Sequence, residues 1–144
     1  MRSVEKFQDL SVPGPTITAV TKPFWDGVAR EELLIQKCSD CEKHVFYPRT
    51  HCPHCWSSSL EWVTASGKAR LKTYSVVHRP GHPGWQDIAP YPVGIVELEE
   101  GPSMLTQLLV DSPENLKMGD ALKVRFVEVN GTWLPFFERD SSRD

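Results

Sequence analysis

The residues able to do chemistry are concentrated in "KCSDCEKHVFYPRTHCPHCW", residues 37–56. All four cysteines of the chain fall there as two Cys-x-x-Cys pairs, Cys38 with Cys41 and Cys52 with Cys55, ten residues apart. Each such turn aims two thiolates at one point, and a returning hairpin brings the second pair in to complete a tetrahedron. Zinc asks for that arrangement, with Zn–S distances of about 2.3 Å. A redox dithiol needs one pair only, at a helix start beside a βαβ pattern, and no such pattern is readable here. A disulfide framework needs an oxidising compartment. The opening "MRSVEKFQDLSVPGP" lacks the apolar middle of a secretory signal, and no apolar run approaches a membrane span. The expectation is a cytoplasmic chain whose thiols stay reduced and hold structural zinc. His44, His51 and His54 lie in or beside the two turns. Four thiolates already fill a tetrahedral site, so these histidines read as surface and the metal as fold energy rather than catalysis.

Other candidates are ligand- or partner-binding residues. Phe24 and Trp25 open an amphipathic segment that either caps a core or lines a groove. The loop "HRPGHPGWQDIAPY" begins at His78, holds Trp85 and ends at Tyr91. Its aromatics offer large contact area at low entropic cost, as interface anchors do. His78 and His82 with Asp87 nearby are the nearest thing to an acid–base set. Loop histidines are more often plain surface, and catalysis by this chain alone is not expected. "KARLKTYSVVH" places Arg70, Lys72 and Tyr74 on one face, a surface of the kind that binds single-stranded nucleic acid. A formal net charge of -3 and no long basic tract weigh against that alternative.

The elements that must position these residues follow from patterning. Hydrophobic residues make up 40% and charged residues 24%, which excludes wholesale disorder. Residues 1–21, with Pro13 and Pro15, read as an arm that lies on something or stays mobile. "TKPFWDGVAREEL" puts Phe24, Trp25, Val28 and Ala29 on one helical face, and a short helix is predicted over 23–31. "LLIQK" and "SLEWV" read as strands flanking the cysteine turns, with Leu60, Trp62 and Val63 against the ribbon. From Ser66 onward the pattern is all-β: "KARLKTYSVVH", "YPVGIVELEE", "SMLTQLLV", "ALKVRFVEV" and "TWLPFFE", the last two joined by "NG". The polar break "SPENLKMGD" separates the third strand from the fourth. Five short strands so interrupted suit a small Greek-key barrel of the OB type. The fold expected is mainly β: arm and helix over 1–34, zinc ribbon over 35–66, five-stranded barrel over 67–139 and a tail over 140–144.

"PFWDGVAREELLIQK", the two cysteine turns, "LEWVTASGKARLKTYSVVHRP", "PYPVGIVELEEG" and "LKMGDALKVRFVEVNGTWLPFFE" occur in an order and at spacings that give the chain a family likeness. It resembles the bacterial and archaeal family, long catalogued as a domain of unknown function, in which a rubredoxin-like zinc ribbon joins an OB-fold. The resemblance runs from Pro23 to Glu138. It implies an accessory subunit in acyl-CoA metabolism, paired with thiolase-like enzymes, including retro-aldolases that shorten steroid side chains, or with acyl-CoA hydratases. It implies contact of the barrel and helix with acyl-CoA or with the catalytic partner. No catalytic residue of the family maps onto this chain; only Cys38, Cys41, Cys52 and Cys55 carry over as zinc ligands. The family usually has glycine after each cysteine turn, where this chain has Glu42 and Trp56.

Overall fold

The computed structural model describes residues 7–110 and 112–140. Helix α1, Lys22–Ala29, starts with a proline in its first turn, where a missing N–H costs nothing. It buries Phe24, Gly27 and Val28. Ala29 is exposed rather than on the buried face, and Gly27 takes part instead. A Cβ on Gly27 would stand 2.8 Å from Leu34 Cγ, so the glycine lets the helix close onto the strand that follows.

That strand is β1, Leu34–Cys38, central in a three-stranded antiparallel sheet between β2, His44–Val45, and β3, Leu60–Thr64. Leu60 packs with Cys38, Val45 and Cys52. Trp62 and Val63 instead pack against the main core, because β3 is also the chain's route into the barrel.

The barrel strands are β4, Lys68–Val77; β5, Tyr91–Leu98; β6, Ser103–Leu109; β7, Ala121–Val129; and β8, Thr132–Arg139. They close in the order β4-β5-β6-β8-β7, with β7 returning to β4 through pairs such as Ala69↔Leu122. A short 3-10 turn, Pro113–Asn115, fills the break between β6 and β7. Asn130 and Gly131, at φ 48° and 84°, make the two-residue hairpin turn that the Asn-Gly pair favours. The core gathers Ile35, Leu71, Val96, Leu108, Leu122 and Phe137 among others, with α1 closing one side through Phe24 and Val28.

Two features were invisible to simple alternation. A register shift between Leu71 and Thr73 leaves Arg70 opposite Glu97 but sets Tyr74 opposite Gly94, on the other side of the sheet. Tyr74 therefore packs toward the main core, off the face that Arg70 presents. The arm docks on the barrel's outer wall: Phe7, Leu10 and Val12 are buried against Leu109, Val127, Val129 and Phe136. Covering side chains of this size stabilises by about 1.5–3 kcal/mol each.

Candidate metal centre and apolar groove

The cysteine turns form by local geometry. After each pair the chain must turn back through a left-handed residue: Glu42 N–H donates to Cys38 O and Trp56 N–H to Cys52 O, both at 2.8 Å, with φ of 62° and 65° at Glu42 and Trp56. The β1–β2 and β1–β3 pairings then bring the two turns together. All four Sγ atoms lie within 4.8 Å of one another, and none is in a disulfide. Cys38 and Cys55 Sγ are 3.6 Å apart, as are those of Cys41 and Cys52. Thiolates about 2.3 Å from one ion at tetrahedral corners would be roughly 3.8 Å apart, so the donor set fits zinc. The chain is a zinc-ribbon protein with a four-cysteine cluster suited to structural zinc.

Without a bound ion the four sulfurs would be thiols competing for protons. Cys38 is brought down to about 7, chiefly by the Cys41 backbone N–H, against the opposing effect of desolvation. Cys55 is an exposed residue whose Sγ lies in the cluster. The Ser57 backbone N–H lowers its pKa, yet desolvation and the sulfurs of Cys38, Cys41 and Cys52 together push it up to about 12. Cys41 also ends above its ordinary value, as desolvation and its sulfur neighbours Cys52 and Cys38 outweigh the Lys43 backbone N–H.

Between the ribbon, α1 and the barrel lies a groove of about 490 Å³. One wall is an aromatic chain: the Trp25 and Phe24 ring centroids are 4.9 Å apart, Phe24 and Phe46 5.5 Å, Phe46 and Tyr47 4.5 Å. The opposite wall carries Trp85 and Tyr91, whose centroids are 5.9 Å apart. The floor is a seam in the barrel. β6 pairs with β8 only at Leu108↔Phe137 and Leu109↔Glu138. Before that the strands part, bridged by Thr106 Oγ1 donating to Pro135 O at 3.3 Å. On the free side of β6 the Leu105 N–H donates to the Tyr47 phenol oxygen at 3.2 Å. Among the described residues, no charged side chain lines this groove. Burial pushes the Tyr91 phenol up, further from its charged form. Such a space suits a neutral, largely apolar guest and offers no counter-charge to a carboxylate or phosphate.

Of the six residues singled out as ligand or partner contacts, the groove gathers four: Phe24, Trp25, Trp85 and Tyr91. Tyr74 lines a shallow hollow on the next strands instead, and His78 is exposed at the end of β4. His82 uses Nδ1 to accept the Gly84 N–H at 2.9 Å, capping the 3-10 turn Pro83–Ile88 that carries Trp85. Phe46, Tyr47, Leu134 and Phe136 were not anticipated. The first two sit in "VFYP" between the cysteine turns, and an aromatic pair in so short a hairpin was the available signal. Leu134 and Phe136 look like any barrel-strand residues until the seam is known. A second cleft of about 560 Å³, between the cysteine turns and the β5–β6 hairpin, has Glu42 and Glu100 facing Lys43 and Arg49. Its charges are mixed, and it lacks a comparable aromatic wall.

Among the described residues, no helix is long and apolar enough to cross a membrane. Two family models match the chain in tandem: the rubredoxin-like zinc ribbon domain of ChsH2 over residues 25–61 and the C-terminal OB-fold domain of ChsH2 over 62–127. A DUF35 domain-containing scaffold protein of Methanothermobacter thermautotrophicus is 39% identical over 101 residues, covering 69% of this chain and 75% of that protein. A probable enoyl-CoA hydratase alpha subunit of Thermomonospora curvata is 30% identical over 118 residues, which is 82% of this chain but 36% of the relative. The chain thus spans little more than a third of that subunit. A solved Ltp2-ChsH2(DUF35) aldolase superposes with a TM-score of 0.78 at 30% identity, covering 88% of this chain and 98% of the matched one. Agreement of ribbon, barrel and their order along the chain places it in the DUF35 family, in the form that joins a ChsH2-type zinc ribbon to an OB-fold.

Proposed function

We propose that the chain is a non-catalytic accessory subunit. It binds a thiolase-superfamily enzyme, such as a side-chain-shortening aldolase, or an acyl-CoA hydratase, and contributes a wall of that partner's acyl-CoA site. The observation that carries this reading is the uncharged, aromatic-walled groove at the junction of ribbon, helix and barrel. Its neutrality matches the acyl and pantetheine portion of a thioester and leaves the nucleotide phosphates outside, toward solvent or the partner. Relatives that are a scaffold protein, a hydratase alpha subunit and a component of an aldolase support a role in assembly.

In this reading Cys38, Cys41, Cys52 and Cys55 hold zinc, which supplies no chemistry to the reaction and holds the ribbon in shape. The ribbon fixes Phe46 and Tyr47 against α1 and β6, so the groove keeps its form before a guest arrives. Work in the cytoplasm, where the thiols remain reduced, belongs to the same proposal. The test is purification of the tagged chain from its native cells with identification of stoichiometric partners, followed by assay of the partner with and without the chain. A thiolase-like or hydratase-like subunit whose acyl-CoA turnover depends on this chain is the expected result. Recovery of nucleic-acid machinery, or a partner fully active towards acyl-CoA alone, would overturn it.

A further inference from the structure

We infer that the N-terminal arm is a working part of the groove: by packing behind Phe136, Leu134 and Trp85, residues 7–14 set the position of the groove's far wall, so that arm docking and guest binding are coupled. The inference rests on the groove being a ligand site, as proposed above. Phe7 is fully buried, and its ring meets Phe136 edge-on at 5.4 Å. Phe136 also lines the groove, as do Leu134 and Trp85, and both of these pack against the cluster the arm completes. Phe136 is therefore shared between the arm and any guest, and Leu134 and Trp85 join the arm's cluster to the groove.

The arm also touches the loop that bears Trp85. A Cβ on Gly84 would lie 2.1 Å from Ser11 O and 2.8 Å from Val12 Cγ1, so only glycine lets the loop and the arm backbone approach this closely. Asn130 Nδ2 donates to Val12 O at 3.3 Å, tying the arm to the β7–β8 turn. Among the described residues, Gly84 and Phe7 are thus positioning residues. They touch no guest, yet they place the aromatics that would. If the arm leaves, Trp85 and Phe136 lose their backing and can shift into or away from the groove. A guest that needs the walls where they are must then supply the ordering itself. Linkage makes the effect reciprocal: whatever factor the docked arm adds to guest affinity, the guest adds to arm docking.

The test uses the whole zinc-loaded chain and dodecanoyl-pantetheine, a neutral acyl thioester, as the probe. Probe affinity is measured for wild type, Gly84→Ala and Phe7→Ala, and hydrogen exchange of the amides in 7–14 is followed with and without probe. The probe is expected to slow exchange of the arm in wild type. Gly84→Ala is expected to speed arm exchange and weaken probe binding about 5-fold or more, the scale of ordinary site-to-site coupling. Phe7→Ala should act in the same direction. A merely stabilising arm would show a lower Tm for Phe7→Ala with probe affinity unmoved, and that result overturns the inference. So does a probe that binds wild type and leaves arm exchange unchanged. Failure of wild type to bind the probe would instead remove the groove from the proposed function, and the coupling with it.

Discussion

Glu42 and Trp56 occupy left-handed backbone at φ 62° and 65°, positions where a side chain on Cβ crowds the following carbonyl. Trp56 recovers little from packing, since it is 78% exposed. Replacing it with glycine should stabilise the zinc-bound protein by about 1 kcal/mol, seen as a higher Tm; a lower Tm would show that the indole packs usefully. The cysteines give a second residue-scale prediction. Cys55 and Cys41 lie above their ordinary pKa in the metal-free cluster, so near neutrality both carry protons that zinc must displace. Zinc affinity should therefore rise with pH from 6 to 9 and fall on acidification. Competition with a chromophoric chelator at several pH values measures this, and a flat profile would contradict the assigned proton load. At this scale the metal site was legible from spacing alone, because two Cys-x-x-Cys turns leave few other uses for four thiols. Tyr74 was misplaced because a β-bulge leaves no mark in the residue types around Leu71 and Thr73.

One buried amide helps tie the ribbon to the groove. Gln36 of β1 donates through Nε2 to Arg49 O and accepts the Arg49 N–H at Oε1, both at 2.8 Å. The pair ties the central ribbon strand to the segment just beyond Phe46 and Tyr47. Gln36→Ala would leave both backbone groups without their partner, at a cost of about 1–3 kcal/mol. Because the loosened segment carries the aromatic wall, Gln36→Ala should also weaken binding of dodecanoyl-pantetheine. A lower Tm with unchanged probe affinity would show that the wall is held by its own ring contacts. Strands and helix were readable because alternation and helical spacing report which face is buried. For the arm the sequence left docking and mobility both open, since Phe7, Leu10 and Val12 follow neither period and are buried by the barrel's outer wall rather than by one another. The seam was hidden: β6 and β8 pair only at Leu108↔Phe137 and Leu109↔Glu138, and Tyr47 takes the Leu105 N–H from a segment far away in sequence.

Across the whole molecule, the four-cysteine centre, the helix and the barrel form one device for holding a neutral cavity open at a junction. The barrel supplies a floor where two strands part, the ribbon inserts an aromatic wall into that opening, and the arm backs the far side. Order of elements and fold class could be read from the chain because each piece has its own pattern. The groove could be read only in part, because its walls come from segments far apart in sequence that meet only in the fold. An account in which zinc keeps the ribbon folded, and the ribbon keeps the groove formed, is tested most directly on the purified chain by zinc content together with thermal unfolding before and after chelation. The account predicts one zinc per chain and a clear fall in Tm when it is removed, recovered on adding zinc back. A chain without stoichiometric metal whose melting curve is unchanged by chelation would contradict it.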